Sequence, residues 1–375
     1  MLVGIDASRV TAEGRTGTET YSLYLIREIL RQGSPHRFRL YFREPVPLDL
    51  FPSEGRWEPR CIPFPRLWTH VRLSWEMIAQ PPEVLFVPAH VLPLVRPRWC
   101  LVTVHDMGYL YFPEAHPPFA RAYLDWSTRF NCRVATRILA LSETTRTDLA
   151  RHYGVPKDKV EVVYPGVREG MRPDLAPAQV EAALHRHGVQ QPYYLYVGTL
   201  QPRKNLIRLL GAFAEASRVW DGPARQEPQL VLAGKEGGER KALRREVRRL
   251  GLEGRVRFLG YVPDEDLPSL YRGALAFVFP SLYEGFGLPI VEAMACGTPV
   301  VCSATSACGE VAGDAGLLVD PLDVDAIAQA LVRVGSERTL RESLTLLGLE
   351  RARTFSWERA ARQVLAVLDA LATEG

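Results

Sequence analysis

The stretch most suggestive of chemistry in this 375-residue chain surrounds two glutamates, Glu284 and Glu292. The apolar segment 274–279 before them is dense in aromatic and aliphatic residues, which is typical of a strand buried on both faces of a parallel sheet. Pro289 suits the first turn of a helix, and Gly297 suits the position just past its end. The pattern therefore predicts a strand, a loop carrying Glu284, and a short helix.

A predicted helix start at Pro289 would gather unpaired N–H groups from the residues just before it. Phe286, Gly287 and Leu288 would direct these groups out of the helix, where the macrodipole also favours negative charge. Glu284 would lie before this helix and Glu292 in its first turn, so that the two carboxylates reach different parts of one ligand. The spacing alone leaves open a simple helix-start acid beside a chance loop acid.

The order of residues in this segment is more specific than the spacing of its glutamates. Residues 284–301, EGFGLPIVEAMACGTPVV, closely resemble the glutamate, seven residues, glutamate signature of retaining glycosyltransferases with the GT-B fold, glycosyltransferase family 4. The resemblance implies that Glu284 contacts the donor sugar near its 3-hydroxyl and that Glu292 binds the ribose hydroxyls. It also implies donor contacts from the intervening residues Gly285, Phe286, Gly287 and Leu288.

A second candidate is the basic pair Arg203-Lys204, which follows a predicted strand and Gly198 and precedes a helix. Arginine can neutralise a diphosphate through paired N–H groups and lysine as a point charge. An isolated basic dipeptide is more commonly solvated surface. With the preceding Gly198-Thr199, however, the pair resembles the family's phosphate-binding motif, which implies a catalytic and donor-binding role.

Three further candidates depend mainly on the family resemblance. Gly17 ends a glycine-containing turn between a strand and a helix, similar to the family's loop that faces the donor diphosphate, although Arg15-Thr16 interrupt the paired glycines usual there. His105, in a Thr-Val-His-Asp segment at a strand end, resembles the histidine that reaches the donor sugar. Residues 260–262 resemble a backbone contact to the nucleotide base, made by Gly260, Tyr261 and Val262.

Composition limits the class of protein. With 47% hydrophobic and 24% charged residues, the chain has the composition of a globular protein. Its net charge of +3 gives no overall positive potential strong enough to indicate nucleic-acid binding. The six cysteines have no metal-ligand spacing, which favours free thiols in a reducing compartment. We find no secretory signal and no membrane-length apolar run, so we expect a cytoplasmic protein, at most peripheral to the inner face of a membrane.

Strand and helix patterns alternate twice along the chain, which predicts two α/β domains. The resemblance implies two Rossmann-like domains facing across a cleft, with the last helix crossing back to the first domain. We place an acceptor domain at residues 1–175 together with helix 357–375, and a donor domain at 176–356.

The sequence does not decide the role of two predicted helices. The segment 67–78 has apolar residues at helical spacing that could line an acceptor cleft or touch lipid, although such a stripe more commonly packs in a core. The helix 117–134 carries Arg121, Arg129 and Arg133 among aromatic residues. A solvated face is the ordinary interpretation of these charges, and contact with an anionic membrane is the alternative.

The resemblance implies a retaining hexosyltransferase acting on a glycan or lipid-linked acceptor. The motifs look most like bacterial mannosyltransferases that use GDP-mannose, with UDP-glucose as the close alternative donor. No Asp-x-Asp motif occurs where a diphosphate site would need one, so we expect no metal and no cofactor besides the sugar nucleotide. The alternatives are a phosphorylase-like enzyme, which needs pyridoxal phosphate and a longer chain, and a non-catalytic sugar-nucleotide-binding protein.

Overall fold

The computed structural model describes residues 1–10, 17–45, 50–52, 55–89, 91–115, 117–220 and 227–373. The chain divides into two compact units, one formed by Met1–Gly166 with Ser356–Gly375 and the other by Val167–Phe355. This division follows Gly166, whereas the sequence patterns place the boundary after residue 175.

The first unit is built on a seven-stranded sheet in the order β3-β2-β1-β4-β5-β6-β7, in which every pairing is parallel. Its strands are β1 (Leu2–Asp6), β2 (Arg37–Phe42), β3 (Trp57–Cys61), β4 (Val84–Val87), β5 (Trp99–Val104), β6 (Arg137–Ala140) and β7 (Val160–Val162). Its helices are α1 (Gly17–Arg31), α2 (Ser74–Ala79), α3 (Gly108–Tyr111), α4 (Pro118–Val134), α5 (Glu143–Tyr153) and the last helix of the chain, α14 (Trp357–Thr373).

The second unit is built on a six-stranded sheet in the order β10-β9-β8-β11-β12-β13, again entirely parallel. Its strands are β8 (Tyr193–Val197), β9 (Gln229–Ala233), β10 (Val256–Gly260), β11 (Ala276–Phe279), β12 (Val300–Ser303) and β13 (Gly316–Val319). Its helices are α6 (Pro177–His187), α7 (Leu206–Arg218), α8 (Arg240–Arg249), α9 (Leu267–Gly273), α10 (Leu288–Ala295), α11 (Ser306–Ala312), α12 (Val324–Ser336) and α13 (Arg338–Arg353).

The strand order explains where a ligand site can form. In each sheet the chain adds strands to one side of the first strand and then crosses to the other side, as in the Rossmann order 3-2-1-4-5-6. The crossover falls between β1 and β4 in the first unit and between β8 and β11 in the second. A crevice opens at the carboxyl ends of the strands at such a point, so the loops after β8 and β11 converge there.

The central strands are continuous apolar segments because helices cover both faces of each sheet. Phe277, Val278 and Phe279 of β11 are fully buried, as is Leu195 of β8. This confirms the prediction of a strand buried on both faces ahead of Glu284.

The last helix belongs to the first unit, as the resemblance implies. Trp357 stacks on Tyr24 of α1 with ring centroids 5.7 Å apart, and Leu368 is fully buried. The chain leaves this unit at Gly166, where a Cβ atom would lie 2.2 Å from the Trp357 nitrogen, so the departing and returning segments touch.

Strand β3 lies in a proline-rich passage whose sequence does not indicate a strand. It pairs with β2 alone, at the edge of the sheet, and carries Pro59. An edge strand tolerates proline because one side of its backbone has no partner strand to bond, and it lacks the apolar alternation of an inner strand.

Candidate active site

A buried cluster of opposite charges occupies the crossover point of the second unit. Both cations predicted from the sequence reach Glu284: Arg203 Nη1 donates to Oε2 at 2.9 Å, and Lys204 Nζ donates to Oε1. Arg203 Nη1 also donates to the Tyr283 carbonyl at 2.9 Å. The structure therefore brings the adjacent Arg203 and Lys204 to Glu284, which lies about eighty positions further along the chain.

Burial and charge act against each other in this cluster. Burial raises the pKa of Glu284, but the charges of Arg203 and Lys204 outweigh it and lower that pKa from 4.5 to about 2. Burial also lowers the pKa of Lys204, partly offset by Glu284. Glu284 is therefore a carboxylate at neutral pH, which can accept hydrogen bonds but cannot donate a proton.

The cations are positioned by a tight turn after β8. Arg203 and Lys204 lie in a 3-10 turn, Pro202–Lys204, that ends at Asn205 in the left-handed conformation, φ +63°. The Asn205 amide donates to the carbonyls of Pro280, at 3.0 Å, and Pro321, at 2.6 Å. This side chain ties the turn to the end of β11, and the lysine ammonium lies 4.9 Å from the centre of the Phe279 ring.

Glu284 is held through its backbone as well as its side chain. Its N–H donates to the Ser306 hydroxyl at 3.2 Å, and its carbonyl accepts from the Ala307 N–H at 3.4 Å. Ser306 adopts φ +56°, an uncommon conformation for a residue with a Cβ. The start of α11 therefore fixes the loop that carries the carboxylate.

Three strand ends in this unit present glycines with positive φ. Gly198, Gly234 and Gly260 follow or end β8, β9 and β10 with φ values of +153°, +141° and +71°. Gly198 N–H donates to the Ala233 carbonyl, and Gly234 N–H donates to the Gly260 carbonyl. A Cβ atom on Gly234 would lie 2.0 Å from the Gly198 carbonyl oxygen, so the backbones can approach only without side chains.

The predicted base contact lies at the outer end of this glycine row. Tyr261 is 52% exposed and Val262 is buried, and the Lys235 ammonium lies 5.8 Å from the centre of the Tyr261 ring. Gly260 leaves an open backbone surface, since no atom lies within 4 Å of where its Cβ would be. A flat ligand could approach the chain here.

The second glutamate belongs to a different cluster. Glu292 pairs with Arg168, Nη2 to Oε1 at 3.1 Å, and accepts a hydrogen bond from the Tyr271 hydroxyl at 3.1 Å. Arg168 also pairs with Asp264 at 2.6 Å. Burial raises the pKa of Glu292, and the arginine partly offsets this effect.

Helix α10 begins one residue earlier than the sequence predicts. It spans Leu288–Ala295 after Gly287, which has φ +102°. Glu292 is consequently the fifth helical residue and lies in the second turn, so its predicted placement in the first turn was wrong. Gly297, with φ +70°, follows the helix end as predicted.

Phe286 is buried before the helix start. Its ring packs edge-to-face against Phe355, with centroids 5.5 Å apart. Gly285, Gly287 and Leu288 surround it in the chain, and the first two of these are also buried. The side chain of Phe286 therefore anchors the loop between the two glutamates in the core of the second unit.

Two predicted residues, His105 and Gly17, belong to the first unit. His105 follows β5, its Nε2 is 2.8 Å from the Pro88 carbonyl oxygen, and its ring contacts Tyr21 edge-on. Burial lowers the pKa of His105, so the ring is neutral at pH 7. It lines a cavity of about 480 Å³ that Asp106, Thr18, His70 and Tyr123 also border.

Gly17 is the first residue of α1, next to Thr18 of this cavity. Gly14, Arg15 and Thr16 of the predicted glycine loop lie outside the described residues. The diphosphate contact expected of that loop therefore stays a prediction.

The described ranges contain neither a cluster of metal ligands nor a helix that could cross a membrane. Within these ranges, no group of three or more histidines, cysteines, aspartates or glutamates is placed to hold a metal ion. In the same part of the chain, no helix has both the length and the apolar character needed to cross a bilayer.

Sequence reasoning missed Arg168, Tyr271 and Ser306. Arg168 lies shortly before the predicted domain boundary, and Tyr271 lies on α9, whose sequence does not indicate a site. Neither position carries a local pattern, because each is brought to its glutamate by the tertiary fold.

Two parallel sheets of Rossmann order in one chain, with the last helix returned to the first unit, define the GT-B class of fold. The model for glycosyl transferases group 1 matches residues 181–346, and the model for glycosyltransferase family 4 matches residues 15–169. The chain belongs to the group 1 glycosyltransferases of family 4, and it is an enzyme of that class.

Relatives of named function support the same class. The chain is 38% identical to O-antigen chain mannosyltransferase B of Escherichia coli over 311 residues, which are 83% of this chain and 80% of the relative. It is 32% identical to D-inositol 3-phosphate glycosyltransferase of Kribbella flavida over 291 residues, 73% and 66% of the two chains. Among solved structures, sucrose-phosphate synthase of Thermosynechococcus elongatus aligns with a TM-score of 0.76 and 22% identity over 100% and 99% of the chains, which shows the shared fold.

Proposed function

We propose that this enzyme transfers mannose from GDP-mannose to a glycan or lipid-linked acceptor with retention of configuration. In this proposal the second unit binds the donor and the first unit binds the acceptor. The observation that carries it is the buried Arg203–Lys204–Glu284 cluster at the sheet crossover. The mannosyltransferase relative supports the choice of sugar.

The cation pair suits a diphosphate. Arg203 and Lys204 carry two positive charges against one negative charge on Glu284, so the cluster has an excess cation in a buried site. A diphosphate is stabilised by such charges more strongly than in water, because the local dielectric is low. We therefore assign neutralisation of the leaving group to these side chains and to the start of α10, with no metal and no cofactor besides the sugar nucleotide.

The two glutamates would hold different parts of the donor. Glu284 is a permanent carboxylate, so it would accept hydrogen bonds from the sugar hydroxyls near the 3-position. Glu292 would accept from the ribose hydroxyls, with Arg168 and Tyr271 fixing its orientation. The open backbone at 260–262 would contact the base.

The transfer step exchanges one bond for another on the same face of the sugar. The bond from C1 to the diphosphate oxygen breaks, and a bond from C1 to the acceptor hydroxyl oxygen forms. The acceptor proton passes to the departing diphosphate oxygen, which is the base on that face. Glu284 is not assigned as a nucleophile, because its oxygens are engaged by Arg203 and Lys204.

Substituting the cluster tests this assignment. We expect Lys204→Ala and Glu284→Gln each to reduce GDP release from GDP-mannose, in the presence of acceptor, by about 100-fold or more, because each removes charge placed at the reacting group. Lys241→Ala and Glu253→Gln change the same residue types at exposed positions and should retain wild-type turnover.

Normal turnover by either cluster variant would remove the basis of the proposal. Thermal unfolding of each variant, measured alongside, separates a lost site from a lost fold. GDP binding provides a second check: we expect Glu284→Gln to bind GDP, because the variant keeps both cations.

A titration with nucleotides tests the donor base. A ligand that binds only the folded state raises the melting temperature, and a tighter ligand does so at lower concentration. We expect GDP to stabilise the protein at lower concentration than UDP. The reverse order would assign a uridine donor, such as UDP-glucose, while leaving the phosphate site intact.

A further inference from the structure

Two segments of the first unit expose large apolar side chains that a globular surface ordinarily hides. Phe119 on α4 is 85% exposed, and Trp75 on α2 is 64% exposed. Each has similar neighbours at helical spacing, Tyr123 and Trp126 beyond Phe119, and Val71 and Ile78 around Trp75. We call these six residues the aromatic patch.

Helix α4 has an inverted pattern. Its buried residues are all polar, namely Ser127, Thr128 and Asn131, whereas the stripe 119, 123 and 126 faces solvent. A helix that only packs against its own sheet would bury its aromatic residues. The solvated-face interpretation of α4 therefore accounts for its arginines but not for its aromatic residues.

The interpretation of the segment 67–78 as core packing holds for only one of its sides. A π-helical turn, Thr69–Leu73, runs into α2, and Leu73 and Met77 are buried. The opposite side carries Val71, Trp75 and Ile78, which are all exposed. Only one side of this segment serves the core, and the other leaves its apolar side chains in solvent.

The two segments form one continuous surface. His70 contacts two aromatic residues of α4, with ring centroids 5.9 Å from Tyr123 and 5.5 Å from Trp126. On α4 the Trp126 ring stacks on Phe130, and the Arg96 guanidinium lies 5.2 Å from the centre of the Phe130 ring. The loop 94–96 therefore adjoins the same surface.

The charge around the aromatic patch is positive. Helix α4 carries Arg121, Arg129 and Arg133 against the single acid Asp125, which pairs with Arg129 at 2.9 Å. Arg121 and Arg133 are exposed and have no ion pair within the described ranges. Aromatic side chains bordered by arginines are the composition that anionic membrane surfaces attract.

The aromatic patch also borders the cavity that contains His105. Tyr123 belongs to the patch and also lines the cavity, as does His70, whose ring contacts Tyr123. A ligand that extends from the patch surface could therefore place its end beside His105 and Asp106.

We propose that the aromatic patch docks the enzyme on an anionic lipid surface, so that a lipid-linked acceptor enters the cavity from the membrane. The proposal rests on the proposed function and deepens it, because it names the acceptor as lipid-borne. The apolar side chains would enter the interface while the arginines meet the lipid phosphates.

Sedimentation of the full chain with vesicles tests the surface. We expect binding to vesicles of phosphatidylcholine with about one third phosphatidylglycerol, weaker binding to phosphatidylcholine alone, and a loss of binding as salt rises. Trp75→Ser with Phe119→Ser should lower the vesicle affinity about tenfold or more, because both side chains lose apolar burial. Arg121→Gln with Arg133→Gln should lower it by about fivefold for each charge removed.

A matched control is Leu346→Ser on α13, which is 70% exposed in the second unit and should leave vesicle binding unchanged. All variants should keep the wild-type melting temperature and GDP response, which shows that they are folded. Equal binding by wild type and the Trp75/Phe119 variant would overturn the proposal. The proposal would also be overturned if the wild-type protein formed a dimer that this variant dissociates and did not bind vesicles.

The two proposals fail separately. Vesicle binding does not require turnover. Mannose transfer to a soluble glycan without vesicle binding would therefore refute only the docking proposal. Vesicle binding by an enzyme that ignores GDP-mannose would remove only the proposed donor.

Discussion

At the residue scale, the site depends on a carboxylate that two cations keep ionised in a buried position. Breaking such a pair by removing one partner leaves the other charged group buried, which costs about 3–5 kcal/mol. Glu284 therefore stabilises the arrangement of Arg203 and Lys204 before any ligand arrives. A donor diphosphate would enter a site whose cations are already oriented.

The displaced pKa of Glu284 predicts an acid-dependent loss of stability. Its folded pKa of about 2 lies below the ordinary 4.5, so its contribution is present above pH 4.5 and is lost as pH falls toward about 2. We expect the free energy of unfolding, measured by urea titration, to fall more steeply with acid in wild type than in Glu284→Gln over this window.

Glu292 provides a control because its pKa is shifted in the opposite direction from that of Glu284. Because its folded pKa is raised above 4.5, its contribution to stability declines as pH rises above that value. Glu292→Gln should therefore weaken the pH dependence of the free energy of unfolding above pH 4.5 and leave it unchanged below pH 4.5.

Identical pH profiles of the free energy of unfolding for wild type and Glu284→Gln would contradict the buried ion pair of Glu284.

The sequence singles out Arg203, Lys204 and Glu284 because each lies in a motif after a strand that resembles a motif of the family. It could not pair them, since hydrogen bonds between positions 203 and 284 depend on which strands become neighbours. Arg168 was missed for the same reason. Its partner Glu292 is distant in the chain, and an arginine in a proline-containing connection has no chemical pattern of its own.

At the element scale, glycines decide how closely the strand ends of the second unit approach. We expect Gly234→Ala to destabilise the protein much more than Gly238→Ala, as measured by urea unfolding. Both positions have positive φ, +141° and +90°, and so share the backbone strain of about 1 kcal/mol. Only Gly234 adds a clash, 2.0 Å from the Gly198 carbonyl oxygen, whereas nothing lies within 4 Å of a Cβ at Gly238.

Equal losses of stability in the two glycine variants would mean that strain alone sets the requirement. In that case the close approach of the loops after β8 and β9 would not constrain the site. GDP binding by Gly234→Ala then shows whether the close packing of Gly198, Gly234 and Gly260 supports donor binding.

The elements themselves were largely predictable where their burial is uniform. Strands β1, β4, β8 and β11 are apolar segments that end at glycine, proline or polar residues, and their bounds follow from that pattern. Elements whose exposed side is also apolar were not resolved, because hydrophobic spacing does not tell which side of 67–78 or of α4 faces the core. Strand β3 was missed because Pro59 and an exposed edge hide its pattern.

At the scale of the whole molecule, the first unit is made from two separate parts of the chain. Helix α14 buries an apolar face against it that includes Trp357, Val364, Leu368 and Leu371. Burial of such side chains contributes about 2 kcal/mol each, which together approaches the stability of an ordinary domain.

Removing residues 356–375 should therefore unfold the first unit selectively. We expect limited proteolysis to digest residues 1–166 rapidly while 167–355 remains resistant, with the fragments identified by mass spectrometry. Arg359→Ala with Arg362→Ala changes only the outer side of α14 and should leave both units protected. A truncated protein with an intact first unit would show that α1 and its sheet are stable without the helix.

The division after Gly166 and before Ser356 also affects the nascent protein. A ribosome adding roughly 5–20 residues per second would need on the order of 10–40 s to synthesise 167–355, which can fold as soon as it emerges. During that interval the face of α1 that Trp357 will contact stays uncovered, because its partner has not been translated. The amino-terminal unit is thus completed only after the second unit has been translated, and its uncovered apolar surface is the kind that chaperones bind.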